Sequence, residues 1–387
     1  MTYQRIRSIQ LDIKKAEDAV LGLFRTSLLV VLSCAVMSVQ AANFNKPKVK
    51  EPPSEIKRDT SLVFWDFRPD VKICSRQTTN VTRVRPEDYD STIYGYKWPE
   101  RSIGAPKFFR DNSLIINTIL SKQEGSREAN DLLDILLERL LIAAKRKAFT
   151  NPDWEGPGGS SPSFMQTVVV RNVALAVSLL RQRLKLDTNS PEFRELDGWV
   201  YQLMGTMEKR QPAQDHKASA YVAQMGWGLA SSNRELFEEG RLRFTKLLSK
   251  PMRDLEIGDG LRNNNEVMHF AVIGAYLLKI NGNAGYELPV GDKTFDEALD
   301  SHVQKLLVTR DEKLKHSVDP TEPAESIFRR QGFGTHLAWI PIYLNSPGSA
   351  QTQESVKALH KALSMADGKE YFGTQIGLHS GCMFGFD

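Results

Sequence analysis

The chain has 387 residues, 41% of them hydrophobic and 25% charged, with a formal net charge of +4. Those values fit a globular protein with a sizeable core, in one large domain or two average ones. The charge is small for this length, and no dense basic stripe is interleaved with aromatics, so nucleic acid is not an expected partner.

Residues 5–25 carry Arg5, Arg7, Lys14, Lys15 and Arg25, followed by the apolar run "SLLVVLSCAVMSV" and then "QAANF". A basic start, a short apolar stretch and small residues at Val39 and Ala41 predict a signal peptide over 1–41, hence export, with the periplasm as destination. The apolar run is too short for a comfortable membrane span. Left uncleaved, or lipidated at the weakly lipobox-like "VLSC", it would anchor the chain instead. Cleavage removes Cys34 and leaves Cys74 and Cys382. These two form one disulfide between the ends of the mature chain, or remain two thiols.

Residues 42–60, rich in Pro and Lys, read as an extended leader. A single domain is expected over 61–387, with an irregular first part at 61–111. There "SLVFWDF" is a candidate strand, and "DYDSTIYGYKWPERS" sets Tyr94, Tyr96 and Trp98 in a loop. Such rings either stack on a ligand or pack locally. Trp154, beside the Gly-rich "GPGGSSPSF", belongs with them.

From about residue 112 the pattern is helical. "SREANDLLDILLERLLIAAKRKAF" repeats apolar residues at i, i+3, i+4 and i+7, with an acidic start and a basic end that suit the helix dipole. "FMQTVVVRNVALAVSLLRQRLKL" is apolar on most of its surface and predicts a buried helix. "SPEFRELDGWVYQLMGTMEKR" opens with Ser190 as N-cap and Pro191 at the first helical position. Further helices are expected near 216–231, 233–249, 262–281, 293–316 and 352–366, with little strand-like alternation. Successive helix pairs predict an all-α fold: a bundle, a solenoid or a closed α/α toroid.

Common catalytic signatures are missing: no GxSxG, no HExxH, no P-loop and no GxGxxG entering a helix. The seven histidines lack metal-ligand spacing and two cysteines cannot complete a structural zinc site, so neither metal nor cofactor is expected. Two segments remain. "AQDHKASAYVAQMGWG" starts a helix with Asp215 in N-cap position and His216 behind it, and Trp227 falls on the same stripe. "GLRNNNEVMHF" puts Arg262 and His269 seven residues apart, on one helix face with Asn265 and Glu266 between them and Tyr276 beyond. A polar stripe on a core helix lines a cleft, or else it merely starts the helix and buries a satisfied histidine.

These segments resemble the alginate lyase family of polysaccharide lyases, whose fold is an α/α toroid. "QDH" at 214–216 falls where that family has an Asn-His pair. "SNRELFEEG" at 232–240 resembles its intervening stretch, and "RNNNEVMH" matches its Arg and seven-residue step. The resemblance covers roughly 110–285. It implies β-elimination on a uronate-containing anionic polysaccharide, with His216 and His269 as proton-transfer groups and Arg262 clamping the uronate carboxylate. Asp215 stands where the family has asparagine and His269 where it has tyrosine. Asn263 or another asparagine would then supply the missing amide. Asp215 would orient His216, and Trp227, Tyr94, Tyr96 and Trp98 would offer stacking faces to the sugar. Two other readings stay open: a non-catalytic exopolysaccharide-binding protein on a degenerate lyase fold, and a hydrolase using Asp215 and Glu266.

Overall fold

A computed structural model describes residues 56–78 (without 57, 64, 66 and 77), 105–150, 162–207, 214–249, 260–309, 313–314, 325–326, 337–365, 372–373 and 378–385. The side chains of 106, 162–163, 214–215, 260–264, 266, 313–314, 325–326, 363–365, 372–373 and 378–379 lie outside that description. All described residues belong to one compact unit, Val49–Asp387. The signal segment 1–41 and the aromatic loop at Tyr94, Tyr96, Trp98 and Trp154 fall outside the described residues.

The unit is mostly helical. Its helices are α1 (Val71–Arg76), α2 (Ala105–Leu120), α3 (Arg127–Lys145), α4 (Pro162–Gln182), α5 (Pro191–Met207) and α6 (Gln214–Ala230). Then follow α7 (Arg234–Leu248), α8 (Gly260–Lys279), α9 (Phe295–Thr309), α10 (Trp339–Asn345), α11 (Ala350–Met365) and α12 (Ser380–Phe384). Three short antiparallel ladders pair β1 (Pro289–Val290) with β2 (Lys293–Thr294), β3 (Lys313–Leu314) with β4 (Glu325–Ser326), and β5 (Phe372–Gly373) with β6 (Leu378–His379). The helix expected to reach 316 therefore stops at Thr309.

Even-numbered helices pack in succession: α2 on α4, α4 on α6, α6 on α8 and α8 on α10. α3 and α5 pack on each other outside this series, and α7 lies against α6 and α8. The last helix, α12, contacts α10 and returns to α1 and α2. α4 is the most enclosed helix, with every side chain from Phe164 to Leu180 buried. Its run of Val168, Val169 and Val170 disfavours a helix intrinsically, because β-branched side chains lose rotamers there. Burial against the neighbouring helices α2, α3, α5 and α6 outweighs that bias of a few tenths of a kcal/mol per residue.

Glycines set the closest helix approaches. A Cβ on Gly228 of α6 would lie 2.5 Å from the Phe237 backbone nitrogen of α7, and one on Gly240 of α7 would meet Met225 and the Tyr221 carbonyl. Gly274 of α8 faces the Phe244 ring of α7.

Two parts of the segment before α2 depart from expectation. "SLVFWDF" is not a strand among its described residues. The Val63 amide and carbonyl are satisfied by the Asn281 side chain instead of a neighbouring strand. Trp65 turns inward to stack on Tyr276 (5.4 Å between centroids) and to meet Phe384 (5.4 Å). The end of the expected leader is docked rather than extended. Arg58 donates to the Ser231 carbonyl (2.9 Å) and to the buried Asp197 carboxylate (3.1 Å), and the Arg58 backbone bridges Asn233.

Asp59 continues that anchorage. Its carboxyl is held down to about 2 by the Ser61 hydroxyl first and the Arg234 guanidinium next. An acid lowered in the fold adds stability above its ordinary value of 3.8, and that contribution drains away as pH falls through about 2. Asp59→Asn is therefore expected to flatten the acid limb of a melting-temperature profile across that range. An unchanged limb would mean that the segment is held without Asp59.

Cys74 of α1 and Cys382 of α12 form a disulfide, with Cα atoms 4.7 Å apart and 308 positions of sequence between them. Both residues are fully buried. The backbone on either side is tied as well: Arg68 and Asp70 amides donate to the Met383 and Cys382 carbonyls.

Candidate functional site

Helices α4 and α6 run parallel in register. Phe164, two residues inside α4, stacks on His216, two residues inside α6, with ring centroids 4.7 Å apart and planes at 28°. One turn on, the Thr167 and Ser219 hydroxyls share a short hydrogen bond. At the far end Arg181 donates to the Ala230 carbonyl and the Ser232 hydroxyl. Side by side, the two N-termini present the positive ends of two helix dipoles where His216 stands, half-buried. α8 points the same way. Its C-terminal Asn281 holds Val63, which shares a groove with Arg181 and Leu229 at the C-terminal ends of α4 and α6.

Phe164 also meets Phe270 of α8 edge-on, 6.3 Å between centroids. The guanidinium of Arg171, two turns along α4 from Phe164, lies 4.5 Å over the Phe270 ring. His269 packs edge-on beside Phe270 at 5.5 Å. Rings of α4, α6 and α8 thus bring His216, Arg171 and His269 around one aromatic pair. Arg171 and His269 keep 6% and 3% of their surface. The ring face beneath the Arg171 guanidinium returns about 0.5–2 kcal/mol towards the cost of burying its charge.

One turn before His269, Asn265 is fully buried. Its Oδ1 accepts from Trp339 Nε1 at 3.2 Å and lies 3.2 Å from His302 Nε2. An indole only donates, so Trp339 fixes which way the Asn265 amide faces. The polar stripe of α8 is thereby tied to α9 and α10.

The sequence-derived residues fare unevenly. His216 and His269 are joined through the Phe164–Phe270 pair. Arg262, Asn263 and Glu266 belong to α8 and Asp215 to α6, but their side chains lie outside the described ones. α6 begins at Gln214, so Asp215 is inside the helix rather than its N-cap. Trp227 requires correction. It is fully buried, stacked on Phe193 at 6.0 Å, with Nε1 donating to Asp197 at 2.9 Å. No face of it is open to a sugar. Burial raises the Asp197 carboxyl above the usual range, against the opposing pull of Arg58 and the Trp227 hydrogen bond. Tyr276 is likewise core, between Trp65 and Phe384.

Phe164, Arg171, His302 and Trp339 were not singled out from sequence. Arg171 alone left a signal there, as the charge inside "VVVRNVALAV". A groove of about 580 Å³ at the opposite end of α4 is lined by Leu62, Val63, Arg181, Leu184, Asp187 and Leu229. It contains none of the histidines, and Arg181 and Asp187 there are already engaged within the chain. Among the described residues no three His, Cys, Asp or Glu side chains group as metal ligands.

No protein-family model matches this chain. No curated protein matches it either.

Proposed function

We propose that the chain is an exported polysaccharide lyase on an α/α toroid, acting on a uronate-containing anionic polysaccharide by β-elimination. The observation that carries the reading is the juxtaposition of two imidazoles and a buried guanidinium about Phe164 and Phe270. The toroid is supported by the succession of even-numbered helices and by the return of α12 to α1 and α2. Export is supported by the buried disulfide, a bond that persists in oxidising compartments.

The chemistry follows from the weak acidity of the uronate C5 proton. Neutralising the adjacent carboxylate stabilises the dianion as charge builds up on it. Arg262 serves as the clamp, and Arg171 adds positive potential from beneath Phe270. His216 removes the C5 proton. The electron pair becomes the C4–C5 double bond, the C4–O4 bond breaks, and O4 takes a proton from His269. Asn263 or another asparagine supplies the amide that the acidic Asp215 does not, and Asn265, oriented by Trp339 one turn before His269, is the described candidate.

The test is ultraviolet absorbance of the mature chain with polymannuronate, polyguluronate and glucuronan. A rise from the unsaturated product is expected on at least one, and Arg171→Met should slow it by about 10²–10³-fold. A flat trace on all three, with one polymer still bound, would sink the lyase reading. The exposure of His269, only 3%, favours that second reading of a carbohydrate-binding protein on the same fold.

A further inference from the structure

The turn after α3 carries three consecutive exposed cations, Lys145, Arg146 and Lys147. The helix ends there with Ala148 N–H donating to the Ala143 carbonyl and Lys147 N–H to the Ala144 carbonyl, both at 2.9 Å. In such an ending the residue at the Lys147 position is usually glycine. Lys147 has φ 49° and Phe149 φ 63°, so two side-chain-bearing residues occupy the left-handed region within one turn.

The turn is held in that form from both sides. Trp199 Nε1 donates to the Ala148 carbonyl at 2.8 Å, and Gln166 Nε2 to the Phe149 carbonyl at 2.9 Å. The Phe149 ring is buried against Phe108. Gln166 is two residues beyond Phe164, so the clamp fixes the basic turn at the N-terminal end of α4, where Phe164 stacks on His216. Among the described residues no carboxylate forms an ion pair with any of the three cations.

We infer that Lys145, Arg146 and Lys147 form an outlying subsite that holds the anionic polysaccharide strand as it leaves the cleft. The inference rests on the lyase reading for its ligand. A polyuronate carries one carboxylate per sugar, so a departing strand presents anions in series to cations in series. Each contact is solvent-exposed, hence weak singly and sensitive to salt.

The experiment is affinity electrophoresis of the full chain through gels containing polymannuronate, with neutral dextran and double-stranded DNA as references. The triple variant Lys145→Gln/Arg146→Gln/Lys147→Gln is expected to lose about 5- to 30-fold in apparent affinity at low salt. Its turnover on short oligouronates should be unchanged. Lys147→Gly is the sharper probe, because it should raise the melting temperature while weakening retardation. Equal retardation of wild type and triple variant would overturn the subsite and leave the lyase reading standing. Retardation by DNA as strong as by polymannuronate would overturn the choice of partner. Absence of both retardation and ultraviolet product in the wild type would remove the lyase reading, and the subsite's ligand with it.

Discussion

Replacing His216 with alanine is expected to lower turnover on a responsive polyuronate by about 10²–10⁴-fold, the range for losing a positioned acid–base group. The melting temperature should stay within a few degrees of wild type. The ring is half-buried, stacked on Phe164 in the first turn of α6, so truncation leaves no large cavity. Its effect should fall on kcat rather than KM, because proton abstraction belongs to the transition state. Loss of activity with collapse of the fold would instead assign His216 to the packing between α4 and α6. A variant with undiminished kcat would remove it from the chemistry. His269→Ala is a weaker discriminator, since a side chain with 3% exposure also contributes to the core.

The second large effect concerns stability. Cys74→Ser/Cys382→Ser is expected to cost about 2–5 kcal/mol, the usual penalty for losing a native disulfide. At this chain length that lowers the melting temperature by about 3–7 °C. The loop that the bridge closes is long, so the entropy it removes from the unfolded chain is near the top of the scale. Because both sulfurs are buried, reductant alone should leave the native protein oxidised. Reductant during thermal unfolding and refolding should bring the wild type down to the variant. A double variant that melts with the wild type would mean that Trp65, Tyr276 and Phe384 hold the C-terminal helix by packing alone.

Much of the helical layout was legible in the residues. Ser190 caps α5 as read, its hydroxyl accepting from the Phe193 amide at 3.1 Å, because an N-cap is a local interaction within one turn. The helix that carries Arg262 and His269, expected near 262–281, is found at Gly260–Lys279. What periodicity cannot give is which helices meet. Arg171 reads as a lone charge in a buried helix, and only the packing that carries α4 to Phe270 of α8 makes it part of a site. His302 lies in a helix that was foreseen, yet its tie to Asn265 spans 37 positions. Trp227 shows the opposite failure. Spacing put it on the His216 stripe, but Phe193 and Asp197 of α5 enclose it, and Asp197, 30 positions upstream, claims its indole nitrogen.

The glycines at the α6–α7 and α7–α8 contacts bear on how firmly the helices carrying His216 and His269 are spaced. Between α6 and α7 the gap is closed by the Phe237 backbone at Gly228 and by Met225 with the Tyr221 carbonyl at Gly240, and between α7 and α8 by the Phe244 ring at Gly274. A separation set by long side chains can widen when a rotamer turns, whereas one set by backbone contact has no such slack. Backbone contact at Gly228 therefore holds α6, which carries His216, to α7 without that slack; on the proposed lyase reading, such a wall would admit a strand by its width.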